Sequence, residues 1–281
     1  MKAGTRLELK ETFVKTNELF PDAGQFEDRN DLIFSGAVGL HYNPAPRWTA
    51  GFQVARAYRT PTIEELYSDA PHAAAGSYDL GDPTLGNEFS VGSDLYLDYK
   101  GRRISGQISL FANRIDGFVD FSPTGQVHEP SGLPFYQYGS KDALLYGFEL
   151  MSDWMLNDKW SAKIGFDYVR GRERGSDADN LTFIPPFRTQ LAVQYDNGLL
   201  WMGPRVRLVS SQRNVAPNEE RTDGYLLIGA DAGYRFGHGV TISFRLDNLL
   251  NERYRDHLSR VENRDAPMPG RNLNAMVRWE F

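Results

Sequence analysis

The closing stretch of the chain, Arg271 to Phe281, alternates residue by residue: Leu273, Ala275, Val277, Trp279 and Phe281 share one face, and Asn274, Arg278 and Glu280 lie on the other. A period of two with one apolar face specifies a β-strand. About twelve segments carry this pattern, each near the ten or so residues that a tilted strand needs to cross a bilayer. They run Thr5 to Val14, Asp31 to Tyr42, Arg47 to Tyr58, Glu88 to Tyr99, Arg103 to Phe121, Asp142 to Trp154, Lys159 to Gly171, Phe187 to Asp196, Leu199 to Val209, Gly224 to Phe236, Val240 to Asn248 and Arg271 to Phe281. In the tenth, Leu226, Ile228, Ala230, Ala232, Tyr234 and Phe236 form the apolar face, while Gly229, Asp231, Gly233 and Arg235 form a face that only water or a polar lumen would tolerate. The pattern predicts an all-β fold, a transmembrane antiparallel up-and-down β-barrel.

The connections alternate between short and long. Asn43 to Pro46, Lys100 to Arg102, Met155 to Asp158, Asp196 to Gly198 and Gly237 to Gly239 are short and use Gly, Asn, Asp and Pro, which supply tight-turn dihedrals. Lys15 to Asn30, Arg59 to Asn87, Ser122 to Lys141, Arg172 to Pro186, Ser210 to Asp223 and Leu249 to Gly270 read as long polar loops. Outer-membrane barrels keep short turns on the periplasmic side and long loops outside. The expected placement is thus the bacterial outer membrane, with long loops extracellular and the carboxyl terminus periplasmic. Trp48, Tyr58, Tyr99, Trp154, Trp160, Tyr168, Trp201 and Trp279 cluster near strand ends, where interface anchors belong.

Composition narrows this further. The 281 residues include no Cys, 14 Tyr and 17 Phe, and carry a net charge of -6. Mean hydropathy is only -0.49, yet alternation halves the apparent hydrophobicity of a barrel strand, so this value does not argue against a membrane. No basic stripe supports nucleic-acid binding. The chain lacks Gly-x-Ser-x-Gly, phosphate-loop and His-Glu-x-x-His motifs, and no enzyme activity or cofactor is expected. Met1, Lys2 and Ala3 open no secretory signal, because a strand pattern begins at once.

Five ordered segments resemble those of TonB-dependent outer-membrane receptors. Arg59, Thr60, Pro61, Thr62, Ile63, Glu64, Glu65, Leu66 and Tyr67 resemble their R-x-P-x-x-x-E-L-Y segment, and Gly81 to Leu85 their G-N-P-x-L-x-P-E segment, with Gly86 and Asn87 departing from it. Tyr146 to Glu149 is similar to Y-G-x-E, Asp247 to Tyr254 to N-L-F-D-x-x-Y, and Pro269 to Arg271 to P-G-R. The loop Ser68 to Tyr78 resembles the branch that includes zinc-uptake receptors. The resemblance implies that residues 1–281 are the C-terminal part, about the last twelve strands, of a larger plugged barrel, with plug domain and signal peptide absent. It implies import of a scarce nutrient, a metal ion or a metal chelate such as a siderophore, with energy relayed through TonB. The implied partners are outer-membrane lipid, the plug domain, the TonB complex through segments missing here, and the barrel-assembly machinery through the strand ending at Phe281. The alternative is a complete twelve-strand barrel acting as an autotransporter translocator or an outer-membrane hydrolase. For the latter, Ser210, Ser211 and His257 lie in suitable loops without a recognisable arrangement.

His72, with Asp69, Asp79 and Asp82 nearby, could supply imidazole and carboxylate ligands to a metal such as zinc. The bland reading is a loop rich in Asp because it is solvated. Arg205, Arg207, Arg235, Arg245 and Arg278, with Glu149, Asp153, Asp167, Asp231, Asp247 and Glu280, fall on polar faces, where interstrand pairing and plug contact are expected to occupy them, the alternative being guidance of an anionic ligand.

Overall fold

The computed structural model describes residues 1–13, 28–72, 74–175, 179–259 and 267–281. The strands are β1 (Lys2–Thr12), β2 (Arg29–Tyr42), β3 (Trp48–Arg59), β4 (Asp69–His72), β5 (Ser77–Leu80), β6 (Glu88–Lys100), β7 (Ile104–His128), β8 (Leu133–Met155), β9 (Trp160–Glu173), β10 (Arg188–Asp196), β11 (Leu200–Val209), β12 (Tyr225–Arg235), β13 (Val240–Asp247) and β14 (Asn272–Trp279), with one short helix, α1 (Ile63–Tyr67). Twelve of these strands pair in chain order, β1-β2-β3-β6-β7-β8-β9-β10-β11-β12-β13-β14, each antiparallel to the next. β1 and β14 stand at the two ends of this order, and neither has a second strand partner among the described residues.

Register carries the alternation across the sheet. Ile164, Leu191, Val206 and Ile228 stand side by side on adjacent strands, as do Gly165, Gln190, Arg207 and Leu227 one residue over. A slip of one residue would exchange the two faces, so each strand's pattern fixes its pairing. The apolar row faces outward. Leu191 is 41% and Leu208 51% exposed, an exposure that a water-facing sheet would not sustain over so many large side chains but that hydrocarbon covers. Lysine at Leu191 in the full receptor is therefore expected to cost about 2–4 kcal/mol of folding free energy in lipid vesicles, the range for a cation near the midplane, whereas lysine at Gln190 faces the polar side and should cost under about 1 kcal/mol. Urea titration of vesicle-folded protein measures both.

Aromatic girdles mark both borders. Trp48 packs on Tyr99 at 4.7 Å, Trp160 on Tyr195 at 5.2 Å and Trp279 on Phe281 at 5.8 Å, all beside the short turns. Tyr58 meets Phe89 at 4.8 Å at the opposite end. His238, with φ of 63°, lies in the tight turn joining β12 to β13, which closes by Phe236 N–H donating to Val240 O at 2.7 Å.

Two expected loops are instead folded. The stretch Ser122 to Lys141 continues β7 and β8 as one long hairpin. β7 spans 25 residues, which at about 3.3 Å each reaches roughly 80 Å, far more than a bilayer requires. Register shifts at Ile115/Phe118 and Pro123/Val127 bend the hairpin, and Gly117 takes φ of 72° at the first of them, as a bulge glycine does. Within Arg59 to Asn87 lie α1 and the β4–β5 hairpin, whose second strand pairs in parallel with β8 (Tyr78 beside Phe135). Most of the expected Lys15 to Asn30 loop, and residues 73, 176–178 and 260–266 of three others, lie outside the described residues. Buried apolar clusters occur at this loop end: Ile115, Ala143, Leu181 and Ile184 form one, and Leu66, Leu85 and Val119 another.

Candidate functional site

The polar face of β8 to β14 lines a cavity of about 750 Å³, to which Glu149 of β8 and Asn272 of β14 both contribute, so the sheet curls around it. The charges predicted for this face are there and mostly pair with one another. Arg188 donates to Asp167 at 2.6 Å, and Arg205 pairs with Asp231 and, at 3.0 Å, with Asp247. Arg245 lies 3.4 Å from Asp247, and Lys163 lies 3.4 Å from Asp153. Arg235 and Asp196 pair at 2.9 Å beside a short turn. These pairs lie within a strand or reach one or two strands across through partly exposed groups, so each contributes modestly to stability while setting a mixed-sign lining.

At the end of the sheet that carries the long connections, the motif residues build a rim. Thr62 caps α1, its hydroxyl accepting from Glu65 N–H at 3.3 Å, while the Glu65 carboxylate accepts from Thr62 N–H at 2.7 Å, a reciprocal capping box. Arg59, last residue of β3, donates to both Glu65 oxygens at 2.9 and 2.8 Å and to both Glu88 oxygens at 2.9 and 2.7 Å. Burial works against the Glu65 carboxylate, and the Arg59 guanidinium overrides it, holding its pKa below the ordinary carboxylate value. Glu88 also accepts from Val119 N–H at 2.6 Å, so one arginine ties α1, β6 and the long hairpin together. The Gly81 to Leu85 segment packs beneath. A Cβ at Gly81 would sit 2.6 Å from the Leu66 backbone, and Asp82 N–H donates to Glu65 O at 2.9 Å. After β13, Asn248 has φ of 50°; its side-chain NH2 donates to Glu252 O and its side-chain oxygen accepts from Glu252 N–H. Asn251, with φ of 54°, accepts from Arg271 N–H at 3.0 Å and leaves no room for a side chain at Gly270.

Of the four predicted metal ligands, two come together. His72 Nδ1 lies 3.1 Å from Asp79 Oδ2 across the β4–β5 hairpin, and Ser77 Oγ donates to Asp79 Oδ1 at 2.6 Å. Asp82 is turned to its own loop, accepting from Thr84 N–H and Oγ–H at 2.8 and 2.6 Å. Asp69 sits at the exposed start of β4, and its backbone oxygen accepts from the Tyr78 hydroxyl. Among the described residues no group of three or more His, Asp or Glu side chains is placed to hold a metal. Sequence reading missed a second cluster, where the loops after β9, β11 and β13 meet. There a cavity of about 320 Å³ is lined by His257, Glu219, Arg255, Asn218, Gln126 and Ser77 among others. His257 takes Thr222, not Ser210 or Ser211, as its Nδ1 partner, at 3.1 Å. The residues that meet here are 38 positions apart in sequence, Glu219 to His257, and only the pairing of β12 with β13 brings their loops together.

A curled antiparallel sheet with a charged inner face, an apolar outer face and aromatic borders defines an outer-membrane type of β-barrel wall. The chain belongs to the TonB-dependent receptor-like β-barrel family, whose model matches residues 2–249. It is similar to the ferrienterobactin receptor of Escherichia coli, 21% identical over 274 residues that cover 89% of this chain and 36% of that one. It is also similar to the TonB-dependent heme receptor A of Haemophilus ducreyi, 21% identical over 307 residues covering 93% and 40%. The chain thus spans well under half the length of these relatives. Among solved structures, the copper transporter OprC superposes with a TM-score of 0.80 at 23% identity, covering 91% of this chain and 40% of that one. The FrpB iron transporter from Neisseria meningitidis superposes with a TM-score of 0.67 at 15% identity, covering 91% and 40%. These likenesses establish the fold. The family is one of receptors, not of enzymes.

Proposed function

We propose that this chain is the C-terminal arc of an outer-membrane receptor that imports a scarce metal-bearing nutrient, a metal ion or a metal chelate such as a siderophore, with energy relayed through TonB. The observation that carries the reading is the mixed-sign concave face of β8 to β14 inside a sheet whose outer face is apolar. Such a face suits a plug domain, whose own charges would exchange with pairs such as Arg205–Asp247. Among the described residues the edges β1 and β14 carry unpaired backbone groups that hydrocarbon cannot satisfy, which favours further strands from the full receptor over a complete twelve-strand translocator or hydrolase. Long loops then face the medium, the strand ending at Phe281 faces the periplasm and the assembly machinery, and lipid surrounds the wall. Relatives named for ferrienterobactin and heme support a metal chelate as cargo. His72 and Asp79 are the part of the predicted ligand set able to meet a metal together at the outer rim.

The test is uptake by cells that make the full receptor and no other of its class, offered radiolabelled zinc ion, a ferric catecholate or haem, with and without TonB. Accumulation of one of these that vanishes without TonB is expected. Passage independent of TonB, with discrete conductance from the isolated chain, would instead indicate a complete pore. If zinc ion is the cargo, His72→Ala should slow its uptake while leaving receptor stability within about 0.5 kcal/mol, since an exposed hairpin residue makes few packing contacts.

A further inference from the structure

The loop cluster holds a buried imidazole of which only one nitrogen is satisfied. The His257 side chain is 3% exposed, and its Nδ1 is anchored on the Thr222 hydroxyl. Its Nε2 is buried and has no hydrogen-bond partner among the described residues. Glu219 Oε1 lies 3.4 Å from it, close enough for a hydrogen bond but without the alignment of one. Glu219 is itself only 8% exposed, and its carboxylate is held rigidly, Oε1 accepting from Phe183 N–H and Oε2 from Ala216 N–H, both at 2.8 Å. Among the described residues each oxygen accepts this one hydrogen bond, leaving a second lone pair.

We propose that His257 Nε2 and Glu219 Oε1 together bind a borderline divalent cation of the zinc, nickel or copper type in the cavity between these loops. The inference rests on the reading of the chain as a metal-nutrient receptor and adds a site away from His72. Three features support it. Two donors bound to one tetrahedral metal at about 2.0–2.1 Å lie about 3.4 Å apart, the separation found here. When the Thr222 hydroxyl accepts from Nδ1–H, the lone pair falls on Nε2 and the ring is fixed facing the carboxylate, the arrangement by which a hydroxyl or carbonyl neighbour orients a ligating histidine. An imidazole and a carboxylate select borderline metals over calcium or magnesium, which prefer all-oxygen sets.

The adjoining 320 Å³ leaves room for the remaining ligands, either water or groups carried by the cargo. Arg255 lines the same cavity. Its terminal nitrogen holds Glu220 at 2.8 Å, while its buried Nε–H has no partner among the described residues and would meet an anionic co-ligand of the metal. Because Glu219 lies between β11 and β12, His257 between β13 and β14, and Phe183 between β9 and β10, an ion bound here would fasten three loops at once.

The experiment is cobalt(II) and copper(II) titration of the purified full receptor in detergent, with zinc ion as competitor. Visible absorption of low-symmetry four-coordinate cobalt and imidazole-nitrogen splitting in the copper resonance spectrum are expected, both displaced by zinc. His257→Gln should remove the nitrogen splitting and weaken zinc binding on the order of a hundredfold, and Thr222→Val, which removes only the orienting hydroxyl, about tenfold. The titrations are run with His72→Ala as the parent, so that the imidazole of the β4–β5 hairpin contributes nothing to these spectra. Thermal melting of the metal-free variants separates loss of the site from loss of the loops. If His257→Gln melts early, the nitrogen splitting in Thr222→Val decides. Parental affinity and spectra in His257→Gln, or no cobalt spectrum in the parent, would overturn the site. Metal binding with these signatures in a receptor that imports nothing through TonB would leave the site standing and remove the transport reading.

Discussion

Valine at Gly147 is expected to abolish assembly of the full receptor into the outer membrane while its synthesis continues. Gly147 pairs with Phe111 on one side and Val169 on the other, in the middle of the wall. A Cβ there would lie 2.0 Å from Tyr168 O and 2.7 Å from the Phe111 ring. The ring could turn aside, but the carbonyl belongs to the β8–β9 ladder and cannot move without breaking it. The cost should be about 3 kcal/mol or more, at the severe end of core overpacking, and heat-modifiable mobility on gels would show the loss. Gly165, one strand over, gives the control. Its nearest neighbour to an added Cβ is Gln190 Cβ at 3.8 Å, so Gly165→Ala should assemble normally. The pair of results would explain why the Tyr146 to Glu149 segment carries a glycine, as a close approach of backbones with an aromatic ring laid over it.

Replacing Arg59 by Ala should release the rim. Glu65 and Glu88, with side chains 15% and 12% exposed, would then lose the guanidinium that serves them both. Breaking a buried pair from one side is worth about 3–5 kcal/mol, and the 41% exposure of Arg59 moderates this to roughly 2 kcal/mol. Hydrogen exchange should show α1 and the Gly81 to Leu85 segment opening first, with β9 to β13 unchanged. The same clamp is acid-labile. Because Glu65 is held below its ordinary value of 4.5 in the fold, its contribution is complete at neutral pH and fades as pH falls below about 4.5. Glu65→Gln should flatten that part of the stability–pH curve.

The strands were legible because lipid on one side and a polar lumen on the other impose alternation on every residue that crosses the membrane. The twelve strands of the main sheet were foreseen, with ends within a few residues, except where β7 and β8 leave the membrane. There Pro123, Gly125, Pro130, Gly132 and Pro134 read as a loop. What extends the hairpin is non-local: Phe121 packs on Tyr138 at 4.4 Å and on Tyr136 at 5.1 Å, and Thr182 donates to Asp120 at 2.6 Å from a loop sixty-two residues away. Helix α1 was legible and overlooked, since Thr62 followed three residues later by Glu65 spells a capping box. Of the predicted ligand set, His72 and Asp79 meet because a hairpin turns between them, while Asp82 is used by a turn. His257 and Glu219 lie on separate loops, and no spacing rule connects them.

The placement of the two ends of the strands is most directly tested by single cysteines in the full receptor, since this stretch contains none of its own. Intact cells carrying cysteine at Ser131, at the tip of the β7–β8 hairpin, or at Asn197, in the β10–β11 turn, would be treated with a membrane-impermeant maleimide. Ser131→Cys should label at once, and Asn197→Cys only after the outer membrane is permeabilised. Labelling of Asn197→Cys in intact cells with Ser131→Cys protected, or equal labelling of both, would contradict a wall that crosses the outer membrane with its long connections outside.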